Sequence, residues 1–335
     1  MLKRTNVLAL VGSGKNPKYS SDKLIIWDEH KSKIFSELRF FSDILNVKIK
    51  SDRIIVTTKE NQLYVLNLST LEIINIFQTY ENKKGLFAIS PDEKILVLAF
   101  PYKYIGYIKV KNYNSPLNVP AINAHDGNIS FIALNYEGTL MATSSDKGTL
   151  IRIFCTNNGE LIQELRRGAK IAEIYYISFD LNNKYIACSS NSRTIHIFSI
   201  YSSIKYLKEK GIISNEINNI NNISNRRSEI DINNNNIVEE PKNQKGFLGS
   251  IMSVLKIGIA YFESEWSFAQ FRLPKSEKDV IVSFGQNIYS IIVLTKSGIL
   301  YEASFEPSLG GECKKNIDIN FMQKEKTEKS DDNKF

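Results

Sequence analysis

Cysteine and histidine are both scarce in this chain of 335 residues. It contains three cysteines and three histidines, and neither type is clustered or spaced as Cys-x-x-Cys. An odd number of cysteines without paired spacing argues against a disulfide framework and against a structural zinc site. We therefore expect reduced thiols, no metal site and no bound cofactor.

The chain also lacks a long apolar run. No uninterrupted apolar segment approaches the roughly 20 residues that a membrane span requires, and the N-terminus shows no convincing signal peptide. We expect a cytoplasmic protein whose contact with membranes is peripheral.

Motifs of catalysis are missing as well. Neither G-x-S-x-G nor H-E-x-x-H occurs, so nucleophilic and zinc-dependent hydrolysis have no support in the sequence. The turn at 12–16 resembles a phosphate-binding loop only in part, because Ala9 and Asn16 stand where that loop needs a glycine and a hydroxyl residue. We interpret it as a glycine-rich turn, and we expect no enzyme.

The composition is that of an ordinary globular protein, with 42% hydrophobic residues and a formal net charge of +7. An excess of positive charge favours acidic partners such as phosphate groups, lipid head groups or nucleic acid. Solvated lysine faces explain the same excess, so the charge alone does not decide between these partners.

Short runs of apolar and β-branched residues alternate with turn clusters of Asn, Asp, Gly and Ser. No helix-length periodic segment separates these runs, which favours all-β structure over βαβ units. Two segments, Ile129–Phe154 and Ile174–Phe198, are nearly copies of each other at an offset of about 45 residues. That offset is the length of a four-stranded blade, and it predicts a WD-repeat-type β-propeller.

Arg166 and Arg167 lie between the two copies. In an extended chain consecutive side chains point to opposite sides, so each guanidinium would face one copy. The copies carry hydroxyls at matching positions, namely Ser145 and Thr149 in the first and Ser190 and Thr194 in the second. Guanidinium forks and hydroxyl donors suit a phosphomonoester, and we predict two similar anion sites. The alternative is an ordinary basic pair on the surface.

The strand pattern breaks between residues 201 and 264. The region 201–245 contains a polar, asparagine-rich tract that cannot bury enough apolar surface to fold, and we predict a disordered insertion there. The segment 246–264 has an apolar helical face and only one charge, Lys256, between 247 and 262. It is too short for a span, and we expect an interfacial segment that dips into the head-group boundary. A helix packed in the core is the alternative.

These patterns predict five parts of the chain. They are propeller strands at 1–200, the insertion at 201–245, the interfacial segment at 246–264, final propeller strands at 265–320, and a charged, disordered tail at 321–335.

Four motifs form a recognisable set, with Leu-Arg-Arg-Gly at its centre. They are Ala124–Gly127, Ala142–Phe154, Leu165–Gly168 and Thr194–Phe198. Together they resemble the PROPPIN family, seven-bladed WD-repeat propellers that bind 3-phosphorylated phosphoinositides in autophagy. The resemblance covers nearly the whole chain except 201–245 and the tail.

The resemblance implies two rim sites for phosphatidylinositol 3-phosphate and phosphatidylinositol 3,5-bisphosphate, one for each arginine of the pair. By matching positions, the first site would use His125, Ser145, Thr149, Arg152 and Arg166. The second would use Arg167, Lys170, Ser190, Thr194 and His196. Membrane insertion would use Phe247, Leu248, Ile251, Met252, Leu255, Ile259 and Phe262.

The resemblance also implies partners and a location. A lipid-transfer protein of autophagy is the expected protein partner, and autophagosomal, endosomal or vacuolar membranes are the expected place of docking. We expect a monomer in solution and no nucleic-acid ligand.

Two departures from the family pattern stand out. Ser192 and Arg193 occupy positions where the family has Lys or His followed by glycine, so a turn that usually needs glycine has to accept arginine. Met1 aligns inside the family's second blade. We therefore expect about six blades here and a protein that starts further upstream, since an open propeller would expose a strand edge.

Two other functions remain open from the sequence. A WD-type scaffold could bind protein partners through the same face without any lipid. An RNA-binding propeller would need aromatic stacking residues among the basic ones, and the surroundings of the arginine pair contain few of them.

Overall fold

A computed structural model describes residues 5–50, 52–213, 241–245, 264–275, 277–287 and 289–322. Most of the predicted insertion, nearly all of the predicted interfacial segment and residues 323–335 of the tail lie outside these ranges. Within them the chain is almost entirely strand, which confirms the predicted all-β class. The described part contains no helix that is both long enough and apolar enough to cross a bilayer.

The described residues form two compact units. The first runs to Ile171 and takes up the chain again at Ser202, while the second contains Ala172–Tyr201 and the described residues beyond Ile223. Each unit has its own strands and its own apolar core.

Antiparallel meanders build the first unit, one of three strands and three of four. The three-stranded meander is β1 (Val7–Val11), β2 (Lys23–Asp28) and β3 (Lys33–Arg39). The next is β4 (Ile44–Lys50), β5 (Arg53–Thr58), β6 (Gln62–Asn67) and β7 (Ile73–Gln78). The third is β8 (Ala88–Ile89), β9 (Val97–Pro101), β10 (Tyr107–Asn112) and β11 (Ile122–Asn123). The fourth is β12 (Ile129–Leu134), β13 (Leu140–Ser145), β14 (Leu150–Cys155) and β15 (Leu161–Arg166).

Burial falls from the middle of a meander to its last strand. The middle strand β5 is buried along nearly its whole length, whereas the last strand β7 is mostly exposed. A strand covered on both faces needs a continuous apolar run, and Ile54, Ile55 and Val56 provide one. Within this meander the sequence pattern therefore distinguishes the buried middle strand from the exposed last strand.

In the described residues the second unit contains ten strands. These are β16 (Ile174–Phe179), β17 (Tyr185–Ser190), β18 (Thr194–Ser199), β19 (Gln244–Lys245), β20 (Glu265–Trp266), β21 (Ala269–Arg272), β22 (Ile281–Phe284), β23 (Ser290–Leu294), β24 (Ile299–Glu306) and β25 (Gly310–Asn320). One meander joins β16, β17, β18 and β21, and a second joins β22 to β25. The last strands of the two meanders, β21 and β25, meet in parallel.

The two sequence copies fold alike. β12 pairs with β13 with a register shift after Ile129, and β16 pairs with β17 with the same shift after Ile174. Such bulges are built into a strand by local sequence and bend it in a fixed way. The two near-identical segments therefore share the bulge between their first two strands.

Residues 201–209 differ from the predicted disordered insertion, because they form helix α1 (Tyr201–Glu209). Leu207 is fully buried. The Gly211 N–H donates to the Lys208 carbonyl at 3.0 Å and the Ile212 N–H to the Leu207 carbonyl at 2.9 Å. With Gly211 at a φ of +65° this is a Schellman ending. The buried Leu207 anchors the helix, and Gly211 ends it. The predicted disordered insertion therefore starts too early, because its first nine residues are helical.

Four aromatic rings form the centre of the second unit's core. Tyr185 packs edge-on against Phe305, with ring centroids 5.0 Å apart, and lies 5.9 Å from Phe268 and 6.4 Å from Tyr289. Edge-to-face aromatic pairs add stabilisation beyond the apolar area that they bury.

Phe305→Ala should lower the free energy of unfolding by about 3–5 kcal/mol, because it leaves a cavity among three other rings. Urea denaturation followed by circular dichroism measures this loss. Leu309→Ala, at a position 83% exposed on the next turn, is the control and should change the free energy by less than about 0.5 kcal/mol. Equal effects of the two substitutions would contradict the assignment of this core.

Candidate anion-binding site

One end of the β12–β15 meander holds several residues predicted for the first site. In an antiparallel meander the end of the second strand, the start of the third and the end of the fourth meet at one end of the sheet. Ser145 ends β13, Thr149 directly precedes β14, and Arg166 ends β15. The fold therefore brings these three residues to one sheet end.

His125 lies just before β12 and is buried. Its Nε2 shares a hydrogen bond of 2.9 Å with the Thr143 hydroxyl. Burial, with a smaller contribution from the positive charge of Arg152, lowers the pKa of His125 from 6.5 to about 4. The imidazole is therefore neutral at physiological pH and can offer hydrogen bonds but no charge.

Arg152 is held by two acceptors. Its Nη1 donates to the Ala124 carbonyl at 2.7 Å, and its Nε donates to the Glu164 carboxylate at 2.8 Å. Arg152 lies opposite Glu164 in the β14–β15 ladder, so this ion pair is a direct cross-strand contact. The bond to Ala124 ties the guanidinium to the residue before His125.

Sequence reasoning missed Thr143 and Glu164. A threonine inside a strand looks like any β-branched strand residue, and its partner His125 is 18 positions away. Glu164 stands two residues before Arg166, and only the strand register shows that it faces Arg152. Pairing the strands outward from their turn would have placed Gln163 opposite Arg152, because the register shifts between Ile153 and Phe154.

Both arginines of the central pair are buried, with 5% and 6% of their surface exposed. Arg166 lies opposite Leu150 in the ladder, and the Arg167 N–H donates to the Thr149 carbonyl at 2.9 Å. The chain is thus paired in extended form through both residues, which is the condition that the predicted separation of their side chains requires.

The Arg167 side chain folds onto backbone carbonyls. Its Nε donates to the Gly148 carbonyl at 2.9 Å, and its Nη2 donates to the Lys170 carbonyl. Lys170 is exposed and contributes its backbone to this contact. The guanidinium therefore closes the loop after β15 against the turn between β13 and β14.

Ser145 and Thr149 also hold that turn together through their backbones. The Ser145 carbonyl accepts the Ser130 hydroxyl at 2.8 Å and the Gly148 N–H at 2.9 Å. The Thr149 carbonyl accepts the Arg167 N–H. The predicted hydroxyl residues are therefore fixed in place by their main chain.

Three residues predicted for the second site belong to the second unit. Ser190 ends β17, and Thr194 and His196 lie on β18. The Ser190 hydroxyl lies 2.8 Å from that of Ser192, and the His196 Nδ1 lies 3.2 Å from the Ser267 hydroxyl. Arg167 and Lys170, predicted for the same site, belong to the first unit.

Arg193 replaces glycine in the second copy without backbone strain. Gly148, its counterpart, has a φ of +58°, whereas Arg193 is not among the described residues that have a positive φ. The turn between β17 and β18 is one residue shorter than that between β13 and β14. The Arg193 Nε and Nη2 both donate to the Leu273 carbonyl, at 3.2 and 3.0 Å. Shortening the turn has removed its need for glycine.

The predicted membrane-insertion residues lie outside the described residues. They are Phe247, Leu248, Ile251, Met252, Leu255, Ile259 and Phe262.

Comparison with known proteins places the chain in a family. A family model described as PROPPIN matches residues 7–211. Autophagy-related protein 18e of Arabidopsis thaliana is 31% identical over 313 residues, which cover 93% of this chain and 73% of that protein. SVP1-like protein 2 of Saccharomyces cerevisiae is 38% identical over 228 residues, which cover 60% of this chain and 51% of that protein.

Solved structures agree in fold. Kluyveromyces lactis Hsv2 superposes with a TM-score of 0.65 at 18% identity, covering 96% of this chain and 85% of that one. KlAtg21, solved in a complex with the coiled-coil of AgAtg16, gives a TM-score of 0.67 at 21% identity, with 96% and 84% covered. The meanders are thus propeller blades, about six in the described residues, which confirms the predicted β-propeller. The chain therefore belongs to the PROPPIN family.

Proposed function

We propose that this protein is a non-enzymatic phosphoinositide effector that docks peripherally on membranes in autophagy. Its ligands would be phosphatidylinositol 3-phosphate and phosphatidylinositol 3,5-bisphosphate. Membership of a family of phosphoinositide-binding propellers supports this ligand class, and the name of the Arabidopsis relative supports the autophagy context. The first head-group site would lie at the end of the β12–β15 meander.

The burial of Arg166 and Arg167 is the observation that carries this proposal. A basic pair on an ordinary surface would be solvated, whereas these two arginines are only 5% and 6% exposed as whole residues at a sheet end. A guanidinium that is already desolvated and held by the backbone needs little reorganisation to bind an anion. Each hydrogen bond to a charged group contributes about 1.5–3 kcal/mol.

The described contacts suggest a division of labour in the first site. Glu164 balances the charge of Arg152 and fixes its position, so Arg152 would contribute little net charge towards the phosphate. His125 is neutral and would act as a hydrogen-bond partner, next to the hydroxyls of Ser145 and Thr149. We infer that Arg152 is chiefly a positioning residue.

The finer parts of the family pattern remain proposals for this chain. The second head-group site, with Arg167, Lys170, Ser190, Thr194 and His196, would raise avidity, because two binding sites carried by one chain act at a high effective concentration. The segment 246–264 would insert into the membrane boundary. A lipid-transfer protein would be a partner, and the KlAtg21 complex with a coiled-coil is a precedent for a protein partner of a relative.

A scaffold without lipid binding is the competing function. Titration with soluble inositol 1,3-bisphosphate distinguishes the two, with backbone NMR as the readout. A head-group site predicts shifts around Arg166, while a pure protein scaffold predicts none.

Arg166→Thr with Arg167→Thr should weaken binding to vesicles that contain phosphatidylinositol 3-phosphate about a hundredfold, because two charge-assisted hydrogen-bonding groups are lost. Vesicle flotation measures the affinity. Arg39→Thr with Arg272→Thr is the matched control, since it removes the same charge from side chains that are 68% and 71% exposed. Melting curves check that the buried changes leave the protein folded. If the folded double variant binds these vesicles as tightly as the wild type does, the proposal is wrong.

The buried His125 should make folding sensitive to acid. Its folded-state pKa is about 4, while the unfolded chain protonates near the ordinary value, so the contribution of the neutral histidine is complete above about pH 6.5 and is lost as the pH falls towards 4. Between pH 7 and pH 5 the wild type should lose about 2 kcal/mol more unfolding free energy than His125→Gln. Urea titrations at the two pH values test this. His30→Gln, at an exposed position, should behave as the wild type does, and a parallel fall in His125→Gln would contradict the expectation.

Leu255→Asp should weaken vesicle binding without changing the preferred head group, because a charge on the apolar face opposes its burial in the head-group boundary. Flotation on vesicles with different phosphoinositides measures both quantities. Ser253→Asp, on the polar face, is the control of equal charge. A changed preference would mean that the segment is more than an anchor.

A further inference from the structure

An aromatic turn joins β9 to β10, and it exposes apolar side chains to solvent. We name residues 102–106 the tyrosine turn. Tyr104 is 64% exposed and Ile105 is 43% exposed. Single exposed apolar residues are common on proteins, whereas two adjacent ones on one turn form a small apolar patch that a partner can cover.

The tyrosine turn is rigid. The Tyr102 N–H donates to the Tyr107 carbonyl at 2.9 Å, and the Tyr107 N–H donates to the Tyr104 carbonyl at 3.1 Å. The rings of Tyr104 and Tyr107 also meet edge-on at 5.7 Å. Lys103 adopts a φ of +53° at the tip, a strained conformation for a residue with a side chain. The two apolar side chains are therefore held outward by the backbone.

The turn is attached to the first candidate site. The Gly106 carbonyl accepts the N–H groups of Ala124 and His125, at 2.9 and 3.2 Å. A Cβ at position 106 would lie 1.6 Å from the His125 carbonyl oxygen, so only glycine allows the two backbones to cross. Ile105 directly precedes this crossing. Its position is thus fixed with respect to the histidine, to Ala124 and, through Ala124, to Arg152.

The chemistry of the turn fits a lipid surface. Tyrosine is amphipathic and concentrates at the head-group level of membranes, and isoleucine gains free energy when it enters the acyl boundary. Lys103, whose ammonium lies 5.3 Å from the Tyr102 ring, adds a positive charge next to a surface that is anionic where phosphoinositides are present. A head group bound at the first site would bring that surface to the turn.

We propose that Tyr104 and Ile105 enter the head-group boundary of a bilayer that contains phosphoinositides, as a second membrane contact beside the first head-group site. This inference rests on the proposed function. It differs from insertion through 246–264, because the tyrosine turn lies on the β9–β10 hairpin. The turn would help to set the angle at which the propeller meets the membrane.

A fluorescent probe at the turn tests the proposal. Ile105→Cys is labelled with a maleimide derivative of the environment-sensitive dye NBD. The native cysteines, Cys155, Cys188 and Cys313, are all buried, and burial raises the pKa of the Cys155 and Cys313 thiols, which favours labelling at the new site. Leu117→Cys is the matched control, because Leu117 is 60% exposed on the loop at the opposite end of β10.

The Ile105→Cys probe should shift to the blue and be quenched by doxyl lipids when vesicles of phosphatidylcholine with phosphatidylinositol 3-phosphate are added. The Leu117→Cys probe should not respond. A silent probe at position 105 on vesicles that carry the protein to the top of a flotation gradient overturns this inference and leaves the proposed function standing. Protein that does not float at all overturns both. A lipid-free response that grows with protein concentration means that a second copy covers the turn, and it also overturns the inference.

Substitution provides a second measurement. Tyr104→Ser with Ile105→Ser should weaken vesicle binding about tenfold, since two partly buried apolar groups no longer leave water. Binding of soluble inositol 1,3-bisphosphate should be unchanged, because the head group itself does not touch the turn. Leu117→Ser should alter neither quantity. Unchanged vesicle affinity of the double variant contradicts membrane entry of the turn.

Discussion

The hydrogen bond from the Arg167 N–H to the Thr149 carbonyl holds the end of β15 against the start of β14. It extends the ladder one residue beyond the strand and so fixes the backbone at both arginines. The guanidinium of Arg167 depends on this bond, because it reaches the Gly148 carbonyl from that backbone position. The Arg167 guanidinium closes the turn between β13 and β14. The candidate site consists of the residues on and around this turn.

Burying this much positive charge is costly unless acceptors surround it. Backbone carbonyls meet part of this cost: the Ala124 carbonyl accepts from Arg152, and the Gly148 and Lys170 carbonyls accept from Arg167. Glu164 is the carboxylate that pairs with Arg152. Carbonyl dipoles stabilise a guanidinium without cancelling its charge, whereas a carboxylate cancels it.

The sequence predicted those features of the fold that repeat. Two near-copies at a blade-length offset indicated strands, their order and the place of Ser145 and Thr149, because strand order within a meander follows chain order. Glu164 could not be found in this way, since its role depends on which residue lies opposite it in the β14–β15 register. Helix α1 was missed because its nine residues look polar beside the asparagine-rich tract. Only the burial of Ser203 and Leu207 and the glycine stop after them separate the helix from that tract.

The crossing of Gly106 with the backbone of His125 has a kinetic consequence. Where a flexible loop meets a surface, its conformational entropy is lost during binding and the encounter is slowed or weakened accordingly. Here the conformational entropy of the tyrosine turn is already lost when the chain folds, because the Gly106 carbonyl binds the turn to the backbone of His125. The turn and the sheet end move as one body. An encounter that orients the one has already oriented the other.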